Sequence, residues 1–153
     1  MTHSDRGSLT VAAPPQKVYA ALVDPEALVV WLPPSNMIGT FERFDLRLGG
    51  SYRMVLTYKD PSTSRGKATA ESDVVEARFV ELVPEQRVVW AVDFVSDDSA
   101  YAGTMTMTWN LAAVHGGTRV EVIADDVPDG VSPKDHAAGM DSSLANLAHY
   151  VEE

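Results

Sequence analysis

Ser132-Pro133-Lys134-Asp135-His136-Ala137-Ala138-Gly139-Met140-Asp141-Ser142-Ser143-Leu144-Ala145-Asn146-Leu147-Ala148-His149-Tyr150-Val151 is the stretch whose reading decides the fold. Ala137, Met140, Leu144, Leu147 and Val151 recur at steps of three or four, which gathers them into one apolar stripe on an α-helix. Ser132 is placed to cap the first turn, Pro133 suits the first helical position, and Asp135 sets negative charge near the positive end of the helix dipole. Such a helix is marginal in water by itself, so its stripe must be covered. Almost everything between Asn36 and Ala124 reads as strand and supplies that cover.

Working outward from the helix, the hydrophobic period changes to two. A long strand runs from Ala102 to Val114, turns at Gly116-Gly117 and returns as Thr118 to Ala124. Before it, Asp73 to Leu82 and Arg87 to Val95 flank the turn Val83-Pro84-Glu85-Gln86, and an acidic loop follows at Ser96-Asp97-Asp98-Ser99. Phe41 to Leu48 and Ser51 to Tyr58 make a hairpin about Gly49-Gly50, and the polar Lys59 to Lys67 segment reads as an exposed loop. Nearer the start, Ser8 to Ala13 is a first strand stopped by Pro14-Pro15. Pro15 opens a short helix with Val18, Tyr19, Leu22 and Val23 on its apolar face, and Pro25 opens a second that carries Val29, Val30 and Trp31 and ends at Pro33-Pro34. The expected order is strand, two helices, six strands, helix, with residues 1-7 a flexible tail and 8-153 one domain.

Alternation states what the core contains. Gly103, Met105, Met107, Trp109 and Leu111 share one side of the long strand, opposite Thr104, Thr106, Thr108 and Asn110. By the same test Val120, Val122 and Ala124 face inward on the last strand, Tyr52 and Met54 on the third, and Val88, Trp90, Val92 and Phe94 on the fifth, whose two faces are both largely apolar. The last helix adds Met140 and Leu144. Three tryptophans and six methionines in the chain make a soft wall able to repack around different guests. Gly139 in mid-helix points the same way, toward a close backbone approach or a void.

Two stretches, Asp24-Pro25-Glu26-Ala27-Leu28 with Trp31 and Pro33, then Asp45-Leu46-Arg47-Leu48-Gly49-Gly50-Ser51-Tyr52, resemble signatures of the heat-shock-protein-90 ATPase activator-like family of the START-like (SRPBCC) superfamily. Val80-Glu81-Leu82-Val83-Pro84, Arg87-Val88-Val89-Trp90, Gly116-Gly117-Thr118 and Gly139-Met140 with Leu144 and Leu147 fall where that family's later features lie, so the resemblance spans Val11 to Val151. It implies an α+β helix-grip fold: a curved antiparallel sheet of six or seven strands wraps a long C-terminal helix, two short helices follow the first strand, and a cavity for an apolar small molecule lies between sheet and helix. The expected cavity wall is Trp31, Tyr52, Met54, Trp90, Phe94, Met105, Met107, Trp109, Met140 and Leu144. Many relatives carry Gly-Trp where this chain has Gly139-Met140, which changes the cavity's shape. Nothing corresponds to the separate N-terminal domain through which the co-chaperone also engages the chaperone, which speaks against chaperone activation.

Composition and absent motifs narrow the function. The chain has 153 residues, enough for one real core, and a formal charge of -10 with no run of Lys or Arg, which argues against nucleic acid and an anionic membrane surface. The absence of cysteine fits a reducing compartment, and with no apolar leader the expectation is a cytoplasmic protein. His3, His115, His136 and His149 lack zinc-site spacing, Asp125 to Gly130 lacks the ligand pattern of a calcium loop, and neither a phosphate-loop lysine nor a Gly-x-Ser-x-Gly elbow is present. No metal and no cofactor is expected. Four residues are weak catalytic candidates: His136 as an acid or base at the cavity mouth, Tyr52 as a hydrogen-bond partner for a carbonyl or phenol, and Glu76 and Asp93 as carboxylates that would have a raised pKa if turned inward. Asp45 and Arg47 read as a structural ion pair or an edge contact. The leading expectation is a non-catalytic carrier of a hydrophobic small molecule. A cofactor-independent cyclase/dehydratase-like enzyme of the polyketide type and a chaperone-associated or stress-related interaction module are the alternatives, with a homodimer as a mild expectation.

Overall fold

A computed structural model describes residues 3–34, 37–59 and 72–152. Seven strands, β1 (His3–Val11), β2 (Met37–Phe44), β3 (Ser51–Tyr58), β4 (Ser72–Val83), β5 (Arg87–Phe94), β6 (Thr104–Val114) and β7 (Gly117–Val127), form one antiparallel sheet in the order β1-β7-β6-β5-β4-β3-β2. Helices α1 (Pro15–Val23) and α2 (Pro25–Trp31) follow β1, and α3 (Pro133–Glu152) closes the chain. This is the helix-grip architecture.

The helices begin where side-chain chemistry allows. Ser132 Oγ accepts from the backbone N–H of Asp135 at 3.2 Å, the cap read in the sequence, and Asp24 caps α2 by accepting from Glu26 N at 3.0 Å. Pro15 and Pro25 occupy first helical positions, where a missing N–H costs nothing. The α3 backbone comes closest to β1 and to α1 and α2. Gly7 of β1 permits that approach, since a Cβ there would stand 3.2 Å from Leu144 Cδ1.

Four boundaries differ from the sequence reading, each for a local reason. The residues read as a tail are strand from His3, because Asp5 and Gly7 pair with Ala124 and Val122 at the sheet edge. Strand β2 lies at Met37–Phe44 rather than Phe41 to Leu48. Asp45 to Gly50 is instead a loop tied by Gly49 N to Phe79 O, Phe79 N to Gly50 O and Asp45 N to Ser51 O. Leu46 and Leu48 mimic strand alternation there, yet both are exposed, Leu48 at 63%. A short 3-10 turn at Ser99–Tyr101 and the positive φ of Gly103 (97°) delay β6 to Thr104, so Gly103 is no part of its inward row. Strand β7 continues past Ala124 to Val127, with Asp126 at φ 58° absorbing the irregularity. The Lys59 to Lys67 loop falls, beyond Lys59, outside the described residues.

Candidate functional site

The inward rows of the sheet assemble one interior. Val88 stands opposite Trp109, Trp90 opposite Met107 and Val92 opposite Met105 across β5 and β6, while Tyr52 and Met54 of β3 face Ala77 and Val75 of β4. Trp31, Tyr52, Met54, Trp90, Met105, Trp109, Met140 and Leu144 are buried in a single core, with Phe94 and Met107 partly buried against it. All ten residues named for the cavity wall therefore come together. They do so as packed side chains.

Within this interior the aromatic rings run as a chain. Trp31 meets Trp109 at a centroid distance of 5.3 Å, Trp109 meets Trp90 at 5.6 Å, and Trp90 meets Tyr52 at 5.5 Å. Tyr52 continues to Phe41 at 5.3 Å, to Phe44 at 6.2 Å and to Phe79 at 5.9 Å. Phe41, Phe44 and Phe79 were not picked out in the sequence. The alternation Val75, Ala77, Phe79 on β4 carried the signal for Phe79, whereas the misplaced β2 hid the other two.

The three indoles differ in their polar ends. Trp31 Nε1 donates to Ala21 O at 2.8 Å. Four residues on from Ala21 stands Pro25, which has no N–H, so the carbonyl lacks its helical donor and the indole supplies one. Trp90 and Trp109 present buried Nε1–H groups that no acceptor meets among the described residues. An unmet buried donor costs about 1–3 kcal/mol, so two side by side demand an explanation. Burial also pushes the Tyr52 phenol well above its ordinary pKa, which keeps it protonated and limits it to a hydrogen-bonding role.

The carboxylate candidates are placed elsewhere. Glu76 pairs in register with Arg53 and Asp93 on the outer face of the sheet, where it accepts from Arg53 at 3.0 Å and Arg43 at 3.2 Å. Those two guanidiniums, Arg53 foremost, hold its pKa below the usual carboxylate range, the opposite of the shift anticipated for an inward acid. Asp93 accepts from Thr104 Oγ1 at 2.6 Å on the same face. Both line an open depression of about 260 Å³ with Arg43, Ser51, Ala77 and Arg78, on the side away from α3. Asp45 and Arg47 form the expected ion pair at 2.8 Å, exposed on their loop.

His136 has partners that the sequence reading missed. Its Nδ1 lies 2.7 Å from Asp5 Oδ2, and the same oxygen lies 3.0 Å from His3 Nε2. The Asp5 side chain is only 8% exposed. It stands on the inward face because Asp5 is in register with Ala124, which is fully buried. The signal was His3 and Asp5 two apart on one strand, lost when those residues were read as a tail. Asp73 is a second carboxylate buried on the inward side. Among the described residues no group of three His, Asp or Glu is arranged to hold a metal ion, and no helix is long and apolar enough to cross a membrane.

A model of the activator of Hsp90 ATPase homolog 1-like protein family matches residues 12–152. The chain belongs to that family. Its superfamily is the START-like (SRPBCC) one, as the sequence resemblance implied. Protein CV1439 from Chromobacterium violaceum superposes with a TM-score of 0.86 at 31% identity, over 98% of this chain and 97% of that one. The AHSA1-like protein from Aeromonas hydrophila shares the fold at a TM-score of 0.75 and 20% identity, over 98% and 92% of the two chains. DynU16, from the dynemicin biosynthetic locus, does so at 0.70 and 19%, over 97% of this chain and 47% of its own. Among curated proteins none matches this chain by sequence. The family match and these superpositions give the chain an AHSA1-like domain of the START type.

Proposed function

We propose that this AHSA1-like domain binds and carries a hydrophobic small molecule in the space between α3 and the middle strands of the sheet. One observation carries the reading. The α3 backbone closes on β1, α1 and α2, while the middle of the sheet is reached through large side chains, among them Tyr52, Met54, Trp90, Met105, Trp109 and Met140. Flat rings and unbranched thioethers swing aside at lower cost than interlocked branched aliphatics, so this filling is deformable in the place where the fold holds guests. The test is calorimetric titration with flavone and with lauric acid, repeated on Met107→Trp, a substitution that enlarges an inward, half-buried side chain beside Trp90. Saturable binding at micromolar concentration that is lost in the variant is the expected result. Absence of heat with both probes, and a variant that is merely less stable, would mean that the interior is a core and nothing more.

A cyclase-like enzyme is the second reading, and the Asp5–His136 contact favours it. An ionised carboxylate only accepts, so His136 Nδ1 donates to Asp5, and Nε2 is left free of that commitment to take or deliver a proton. The DynU16 neighbour, from a biosynthetic locus, supports the same direction. Turnover of a linear poly-β-ketone that falls at least about a hundredfold in His136→Gln is the outcome that selects enzyme over carrier.

A further inference from the structure

The two indole donors say what kind of guest the interior takes. Trp90 and Trp109 each bury an Nε1–H without an acceptor among the described residues, on rings whose centroids are 5.6 Å apart. Both rings are fully enclosed, each about 1% exposed, so bulk water does not satisfy them. Trp31 shows that the fold can satisfy an indole when stability alone is at stake, since its donor is answered by Ala21 O at 2.8 Å.

Charge on the same face restricts the guest further. No Lys or Arg is buried among the described residues. The acidic groups turned inward are Asp5, held by His3 and His136, and Asp73. A carboxylate guest would lose its hydration without gaining a buried lysine or arginine, and would lie on a face that already carries acids. A hydrocarbon guest would bury the two donors and leave them unmet.

The geometry points to a neutral, apolar ring compound bearing a hydrogen-bond acceptor, of the aryl ketone, quinone or ester class, whose acceptor oxygen takes the Nε1–H of Trp90, Trp109 or both. This deepens the carrier reading and rests on it. A guest so chosen is read by its oxygen, with the surrounding thioethers and rings tolerating differences in outline.

The experiment uses three probes of nearly one shape: 2-acetonaphthone, 2-isopropenylnaphthalene, in which the ketone oxygen is replaced by a methylene, and 2-naphthoate. Calorimetry on the full chain is expected to rank the ketone at least about tenfold tighter than either of the others, the value of one well-made hydrogen bond in a dry site. Nitrogen-proton correlation spectra of the unaltered protein are expected to show the indole N–H signals of Trp90 or Trp109 moving downfield with the ketone, while that of Trp31, already bonded, stays in place. Trp90→Phe and Trp109→Phe are expected to shrink the ratio of ketone to alkene affinity measured within each variant.

Equal affinity for ketone and alkene overturns the inference and leaves the carrier reading standing. So does tightest binding by naphthoate, or an indole pair whose signals stay fixed because a buried water already satisfies them. Binding by none of the three counts against the carrier reading itself and takes this inference with it. Because the spectra need no substitution, a variant that fails to fold does not blunt the test.

Discussion

Two neighbouring parts of the interior follow different rules, although indoles stand in both and touch across the boundary. Around Trp31, where α2 meets the middle of α3, polar groups are answered: the indole reaches Ala21 O, Ser143 Oγ donates to Leu32 O at 2.6 Å, and Asn146 Nδ2 donates to Pro33 O at 3.2 Å. Over the middle strands, Trp90 and Trp109 hold donors that no acceptor meets among the described residues, and methionines, rings and valines surround them. The first region fastens the helix. The second holds apolar bulk with two polar groups unanswered among the described residues, the feature on which the proposed site rests.

The sharpest way to break this comparison is to remove each donor in turn. Trp31→Phe loses ring volume and strands the Ala21 carbonyl, for a cost of about 2–4 kcal/mol in urea denaturation, whereas Trp109→Phe loses volume but also discards an unmet donor and is expected to cost about 1–2 kcal/mol less than Trp31→Phe. Equal losses would erase the distinction. Next in size is Gly7→Val, which forces Leu144 away from β1 where α3 approaches the sheet most closely; about 1–3 kcal/mol is expected, and a loss under 0.5 kcal/mol would show that α3 slides freely along the edge strand.

Tyr52 tests the floor through pH. Its folded-state pKa is raised, so above about pH 10 the unfolded chain releases a proton that the folded chain keeps. Stability is therefore lost as pH rises past that value, by about 1.4 kcal/mol per pH unit for this one group. Tyr52→Phe removes that slope. Denaturation curves of the two proteins at pH 9 and pH 11 give the difference directly, and parallel behaviour would mean that the phenol ionises in the folded protein.

Gly139 sharpens the comparison from outside the interior. A Cβ there would meet nothing within 4 Å, so the glycine does not serve a close backbone approach, one of the two readings the sequence offered for it. Gly139→Ala is expected to raise stability by about 0.5–1 kcal/mol, with guest affinity unchanged. The smallest effect lies on the outer face. Glu76 has a lowered pKa, so its pairing stabilises above its unfolded-state value of about 4.3 and is lost as pH falls through the folded value. Because the pair is 31–39% exposed, solvent screening limits Glu76→Gln to about 0.5 kcal/mol at pH 7, and the difference disappears once acid protonates the folded-state carboxylate.

How much of this was legible in the chain varies by element. Helix α3 was readable from its stripe, its cap and its proline, all of which act within a few residues. So were α1 and α2, which prolines start and stop. The alternation of Met105 to Leu111 and of Val120 to Ala124 located the inward face correctly. Strand β2 was misplaced because Leu46 and Leu48 keep the period of a strand while the loop they occupy is fixed by hydrogen bonds to Phe79, a partner about 30 residues away in sequence.

The candidate site divides in the same manner. That Trp90, Trp109, Tyr52 and the methionines share an interior followed from residue type and period, which the chain states outright. That Glu76 and Asp93 face outward, that Asp5 sits beneath His136, and that one indole is answered and two are not depended on which strand lies beside which. Sequence fixes local period, capping and composition because these depend on neighbours in the chain. Whether a polar atom has a partner is a property of residues brought together from distant positions, as with Asp5 and His136, and only the folded arrangement decides it.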